Sequence, residues 1–295
     1  MCAIPRHEKY SFLCIADNLR IQYNTMEIPE LSREEIQELI SAKAQLEEKE
    51  RQLHEELELA AELQKSLLPK EYPPDVPVEI IHRYMPFREV GGDFFDYIRL
   101  DEHRIGIIIT DVSGHGIASA FLTAMFKSTF SHIAPKSNSA ADTMAELNRE
   151  LCALVRTEHY LTAFYVIIDT RNMTCEYCNA GHPKQLLLRN NGNIEELTSV
   201  GFFLGMFEGT EYENKQFRLE TGDTICLFTD GIIETVGDNE TLYDRERVAA
   251  GLIATNGKSL ETAANHIMTD LLHFMSTPVF ADDITLLLIR TAETI

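Results

Sequence analysis

Basic residues are scarce in this chain. Lysine and arginine number 26 against 47 aspartates and glutamates, a formal net charge of −21. Phosphate backbones select basic surfaces, so nucleic acid is excluded as a partner. Long apolar runs are also lacking. The longest, such as Ile105-Gly106-Ile107-Ile108-Ile109, have only the length of a strand, and no membrane insertion is expected. The start, Met1-Cys2-Ala3-Ile4-Pro5-Arg6, has no sustained apolar core of a secretion signal. The six cysteines follow no compact framework spacing, which suits a cytoplasmic protein with reduced thiols. Cys175 and Cys178 form a C-x-x-C with no second pair. In a strand that spacing sends the two side chains to opposite faces, so no zinc or redox role is assigned. Neither G-x-x-x-x-G-K-[ST] nor G-x-G-x-x-G is present, which removes the usual nucleotide-binding loops.

What remains is globular, with 44% hydrophobic residues over 295, enough for one large domain and an appendage. Three segments are expected. Residues 1–30 are a short N-terminal segment of unassigned role, in which 12–23 reads as a hairpin turning at Asp17-Asn18. Residues 31–71 form a helical linker. Ser32 is its N-cap and Glu35 completes a capping box, and no glycine or proline intervenes before Pro69. Leu39, Leu46, Leu53, Ala60 and Leu67 repeat every seven residues, whereas the companion seam of Ala42, Lys49, Glu56 and Leu63 is poor. A lone helix of this length is marginal in water, so a homodimeric coiled coil through 31–68 is expected. The proline-rich stretch 71–77 stiffens the connection to residues 72–295, where strands and helices alternate. Strands are predicted over 78–85, 94–99, 104–110, 161–168, 173–180, 184–189, 216–219, 223–229 and 284–290. Helices are predicted over 116–133, 139–155, 245–253 and 259–275. Hairpin turns at 169–172 and 190–193 imply antiparallel sheets covered by helices, an α+β fold.

Four acidic signatures punctuate this domain: Gly91-Gly92-Asp93, Asp111-Val112-Ser113-Gly114-His115-Gly116, Thr229-Asp230-Gly231 and Ala281-Asp282-Asp283-Ile284-Thr285. Each sets a carboxylate at a strand end or a glycine turn. Asp111 follows an apolar strand and precedes a helix, where it either caps that helix or holds a charged ligand. Adjacent aspartates such as Asp282-Asp283 are often only a solvated turn. Four such acids in one domain exceed what turns require, and a shared site for hard cations accounts for all of them.

In this order the motifs resemble the PPM (type 2C) metal-dependent serine/threonine phosphatases, and best their bacterial RsbU/SpoIIE branch. The resemblance rests on 90–96, 111–116, Asn179-Ala180-Gly181-His182-Pro183, 227–231, 282–285 and the helix end Leu63-Gln64-Lys65-Ser66-Leu67-Leu68-Pro69, and it spans residues 60–290. It implies a β-sandwich of antiparallel sheets flanked by helices, and two Mn²⁺ or Mg²⁺ ions. Carried over by motif, Asp111 bridges both ions and holds the nucleophilic water. Asp93 and the backbone carbonyl of Val112 hold one ion; Asp230 with Asp282 or Asp283 holds the other, the register favouring Asp282. Asp96 is a weaker candidate. The chain departs from many type 2C enzymes in carrying Ser113 where a histidine follows the bridging aspartate, so the general acid is unassigned and His115 is only a weak candidate. Arg88 is a weak phosphate-binding candidate, and His182 is read as a turn residue.

The resemblance further implies hydrolysis of phosphoserine or phosphothreonine on a regulatory protein, of the anti-sigma-factor-antagonist type, under an upstream regulator or sensor domain. The alternative is a non-catalytic signalling scaffold of the same fold. Hydrolysis of a small phosphate ester is disfavoured by the lack of any base- or sugar-binding signature.

Overall fold

The computed structural model describes residues 32–69, 77–114, 116–155, 159–275 and 280–291. The hairpin expected at 12–23, most of the proline-rich connector and His115 lie outside them. The chain divides into two compact units, 1–55 and 56–295. Helix α1 (Arg33–Leu67) begins with the expected capping box: Glu35 N–H donates to Ser32 Oγ at 3.2 Å, and Ser32 N–H donates to Glu35 Oε2 at 2.7 Å. In the first unit Leu39 and Leu46 are exposed, as is Leu53.

The second unit is two five-stranded antiparallel sheets. Its elements are β1 (Val78–Met85), β2 (Phe94–Arg99), β3 (Arg104–Val112), α2 (Ile117–Ile133), α3 (Ala140–Leu154), β4 (Leu161–Asp169), β5 (Thr174–Ala180), β6 (Gln185–Leu188), β7 (Ile194–Leu197), β8 (Lys215–Arg218), β9 (Thr224–Phe228), α4 (Asp230–Ile233), α5 (Asp244–Ala254), α6 (Leu260–Phe274) and β10 (Ile284–Thr291). One sheet runs β1-β10-β9-β6-β7 and the other β2-β3-β4-β5-β8.

Period-2 patterning explains the layers. Ile105, Ile107 and Ile109 of β3 meet Ile225, Leu227, Leu287 and Ile289 of the opposite sheet in a buried central layer. The alternate residues Ile108 and Val112 face outward against Phe126 and Phe130 of α2 and Leu147 and Leu151 of α3. On the other side, Cys226, Leu286 and Leu288 pack against Val248 of α5 and Ile267 and Leu271 of α6. The result is a helix–sheet–sheet–helix sandwich. Cys175 falls in the central layer and Cys178 under α3, on opposite faces of β5 as their spacing requires.

The antiparallel pairing gathers the acids. Phe94 pairs with Thr110, so the start of β2 meets the end of β3. Leu286 pairs with Phe228, so the start of β10 meets the end of β9. All four acidic signatures therefore sit at these neighbouring strand termini.

Candidate metal centre

Asp93 is buried at the mouth of β2. Its Oδ2 accepts hydrogen bonds from Thr229 Oγ1 at 2.7 Å and Thr285 Oγ1 at 2.5 Å, which stitch one sheet to the other. Neither threonine was singled out from sequence, although both lie inside the acidic signatures. Asp111 sits at the end of β3, partly buried. It does not cap α2: the N-cap of that helix is Gly116, in the left-handed region at φ 90°, and no side chain caps it. Asp230 opens the one-turn helix α4, with Thr229 at the N-cap position.

The Asp282-Asp283 pair is divided in role. Asp283 is buried, and both of its oxygens are engaged by backbone amides. Oδ1 accepts from Phe87 N–H at 2.6 Å; Oδ2 accepts from Gly92 N–H at 2.5 Å and Asp93 N–H at 3.2 Å. Its carboxylate thus organises the Gly91-Gly92-Asp93 loop. Asp282 is exposed at the rim and accepts the N–H of Asp283 at 2.8 Å.

The electrostatics tie the group together. Burial, then the charges of Asp230 and Asp282, push the Asp111 carboxyl from its ordinary 3.8 up to about 8. Burial, then Asp282 and Glu234, raise Asp230 to about 6. Burial and the charges of Asp111 and Asp283 push Asp93 well above the usual carboxylate range, against the pull of the two threonine hydroxyls. Glu234 was not anticipated. It stands four residues after Asp230, one helical turn on, a spacing that points to the same neighbourhood.

Among the described residues no three histidine, cysteine or acidic side chains stand close enough to cage a metal as they lie. The donors nevertheless suit hard divalent cations, being oxygens throughout. A cradle also exists that a side chain would fill: a Cβ at Gly92 would lie 2.7 Å from the Val112 carbonyl oxygen and 3.3 Å from Asp111 Oδ1. Gly231 is equally constrained, since a Cβ there would approach the Asp283 carbonyl oxygen to 2.0 Å.

Three other residues take positions the sequence left open. Asp96 turns away from the acids: its carboxylate pairs with Lys127 of α2, so it is not part of the cluster. Arg88 is exposed, its guanidinium 5.3 Å from the centre of the Phe87 ring. His182 is buried and is held in its turn by Asn179, whose Oδ1 accepts from His182 N–H at 2.7 Å. Its ring reaches Thr162 Oγ1 at 2.7 Å and the Phe228 carbonyl oxygen at 3.2 Å, bracing the strand beside Asp111 to the strand before Asp230. Burial lowers its pKa to about 3, so the ring is neutral and structural at physiological pH.

Gln64, in the last turn of α1, is buried and pairs twice with the backbone of Gly91. Its Nε2 donates to Gly91 O at 2.7 Å, its Oε1 accepts from Gly91 N–H at 3.0 Å, and Nε2 also reaches Thr123 Oγ1 of α2 at 3.1 Å. Gly91 lies two residues before Asp93, so the helix end grips the loop that presents this carboxylate. Replacing Gln64 by alanine strands two buried peptide groups, at roughly 1–3 kcal/mol each. Gln64→Ala is expected to lower the melting temperature and to raise the Mn²⁺ concentration for half-maximal turnover roughly tenfold, the scale of outer partners that orient ligands. An unchanged Mn²⁺ dependence would show that the grip has no bearing on how the Asp93 loop serves turnover.

Two five-stranded antiparallel sheets between helical layers, with acids converging at one end, define a type 2C phosphatase fold. The solved structure of the SiaA-PP2C domain of Pseudomonas aeruginosa superposes with a TM-score of 0.73 at 22% identity, covering 82% of this chain and 98% of that one. The chain belongs to the Stage II sporulation protein E (SpoIIE) family, whose model matches residues 101–292. It is 36% identical over 183 residues to the phosphoserine phosphatase RsbP of Bacillus subtilis (strain 168), and 26% identical over 242 residues to the phosphoserine phosphatase RsbU of the same organism. These matches cover 61% and 82% of this chain. They cover 45% of RsbP and 71% of RsbU, so the chain spans less than half of the first of these relatives.

Proposed function

We propose that this chain is a metal-dependent protein phosphatase that hydrolyses phosphoserine or phosphothreonine on a regulatory protein. The observation that carries this is that the strand ends bearing Asp93, Asp111, Asp230 and Asp282 meet at one end of the sandwich, stitched together by the bonds of Thr229 and Thr285 to Asp93, with Gly92 leaving the cradle beside Asp111 and Val112 open. Asp111 would be shared by two Mn²⁺ or Mg²⁺ ions, Asp93 and the Val112 carbonyl would serve one, and Asp230 with Asp282 the other. When bound, the ions supply a water acidified for attack on phosphorus and positive charge for the phosphoryl oxygens. Asp283, occupied by three amides, positions the Asp93 loop and is not itself a ligand in this reading. Thr229 and Thr285 fix the rotamer of Asp93. His182 keeps the two acidic strand ends at constant separation. Arg88 lies five residues before Asp93 and is the basic group proposed to meet the phosphate.

A panel of substrates in Mn²⁺ tests the reading. Phosphoserine and phosphothreonine peptides are expected to turn over faster than nucleotides or sugar phosphates. Turnover confined to small esters would contradict the protein substrate, and no turnover of any kind would leave a scaffold of the same fold. The resemblance of RsbP and RsbU supports a phosphorylated regulator, of the anti-sigma-factor-antagonist type, as the substrate. The described residues include no helix long and apolar enough to cross a membrane, and a cytoplasmic location is part of the proposal.

Regulation through α1 is part of the same reading. Leu39, Leu46 and Leu53 are more than half exposed, and pairing two chains in parallel would cover them. Leu67 differs from the seam expectation: with Leu68 it packs onto the core under α2 and is not free to pair. Lys49 and Glu56 weaken the second seam, so the pairing is loose enough for an upstream regulator to alter. Leu46→Glu with Leu53→Glu is expected to give monomers with altered turnover, read by analytical ultracentrifugation and peptide assay. A wild-type monomer, or a double variant unchanged in both readouts, would reduce the helix to a spacer.

A further inference from the structure

The segment joining β7 to β8 exposes large apolar side chains next to the acidic centre. Val200 is 74% exposed, Phe202 45%, Met206 48% and Phe207 51%. Loops with this many open hydrophobics are ordinarily loose, but this one is pinned. Leu204 is fully buried and exchanges both backbone hydrogen bonds with Leu161, at 2.8 and 3.0 Å. Asn148 of α3 holds the loop twice, accepting from Gly205 N–H at 2.9 Å and donating to the Phe207 carbonyl at 2.8 Å. Glu213 accepts from Val200 N–H at 2.9 Å and donates its own N–H to the Val200 carbonyl at 2.8 Å. The rings support one another: Phe202 lies 4.8 Å from Phe203 and 5.2 Å from Phe207.

The patch is built against the site. Phe203 stacks on Tyr160 at 4.4 Å. Tyr160 in turn holds Ser113, two residues after Asp111: its carbonyl accepts from Ser113 N–H, and its N–H donates to Ser113 Oγ, each at 2.9 Å. Gly181 makes room for the stack, because a Cβ there would come within 2.3 Å of the Phe203 ring. A fixed backbone presenting a mutually supported aromatic cluster loses little entropy on binding.

The occupant follows from place. Through Phe203, Tyr160 and Ser113 the patch adjoins the strand end that carries Asp111. A phosphorylated residue held at the acidic centre therefore brings its neighbours in the chain across the patch, where apolar contact adds affinity beyond that of the phosphoryl group. We propose that the Val200–Phe207 patch docks the polypeptide flanking the phosphorylated residue and selects apolar side chains there. This rests on the phosphatase reading and adds its substrate preference.

Two phosphoserine peptides of equal length and charge, one flanked by leucines and one by serines, test it, with para-nitrophenyl phosphate as a substrate too small to reach the patch. Binding is read separately by fluorescence anisotropy of labelled peptides. The wild type is expected to prefer the leucine peptide. Phe202→Ser with Phe207→Ser should lower kcat/KM and affinity for that peptide roughly tenfold, erase the preference and leave para-nitrophenyl phosphate turnover unchanged. A preference that survives the double variant with para-nitrophenyl phosphate turnover intact would overturn the proposal, as would its absence in the wild type. A double variant that sediments as a smaller species would also overturn it, marking the patch as a contact between copies. Phe-dependent selective binding without any hydrolysis would uphold the docking surface and sink the phosphatase reading instead.

Discussion

Asp111→Asn is expected to lower phosphopeptide turnover by at least about a hundred- to thousandfold, the scale seen when one group stabilising developing charge is lost. Asp230→Asn should fall in the same range. Both variants should stay folded, because Asp111 and Asp230 carry charges that the acidic cluster repels. The folded pKa of Asp111 is about 8 against an ordinary 3.8. Between these values the folded protein binds more protons than the unfolded chain, so stability falls as pH rises from about 4 to about 8 and then levels. An asparagine side chain carries no such charge. In chelator, thermal denaturation of Asp111→Asn should therefore show a flatter pH profile and a higher midpoint than wild type at pH 8. An inactive variant that melts well below wild type at that pH would mean that the loss reflects unfolding. Near-wild-type turnover of either variant in saturating Mn²⁺ would remove the assigned site.

Chelation should be equally decisive. EDTA is expected to abolish turnover, and Mn²⁺ or Mg²⁺ to restore it, because all-oxygen donors favour hard ions. Alkylating the thiols of the native protein should change turnover little. Cys175, Cys178 and Cys226 are buried and Cys152 is half-buried, and burial pushes the thiols of Cys175, Cys178 and Cys226 far up, away from the reactive thiolate. Cys14 stands six residues before Arg20, a spacing that cysteine phosphatases use, but an aspartate and no glycine lies between them. Activity that survives EDTA and dies on alkylation would transfer the chemistry to such a thiol.

Most of the fold was legible because both faces of the sheets carry strong signals. The predicted strands at 78–85 and 94–99 coincide with β1 and β2, and the hairpin turns expected at 169–172 and 190–193 join β4 to β5 and β6 to β7. Strand β7 was missed. Its Ile-Glu-Glu-Leu run breaks the period of two and is only four residues long, so it is held by pairing with β6 and not by its own pattern. The acids were visible as signatures, but their division of labour was not. Asp282 and Asp283 look alike in sequence; only the amides of Phe87, Gly92 and Asp93 closing on Asp283 distinguish them. Asp96 shares a motif with Asp93, yet it lies in register with Ile108, on the face turned to α2, where Lys127 meets it. Gln64 lay within the helix-end resemblance without a role, because its partner, the Gly91 peptide, is 27 residues away and offers only backbone. The seam of Leu39, Leu46, Leu53, Ala60 and Leu67 is regular in sequence, but regularity does not tell which members a neighbouring core will claim, and the core under α2 claims Leu67.

The most direct test of the metal centre is anomalous diffraction from crystals grown in Mn²⁺. Two manganese peaks are expected, both against Asp111, one shared with Asp93 and the Val112 carbonyl and the other with Asp230 and Asp282, while Asp283 keeps its three amides. Manganese bound elsewhere, or none at these carboxylates in protein that still hydrolyses phosphoserine, would contradict the account.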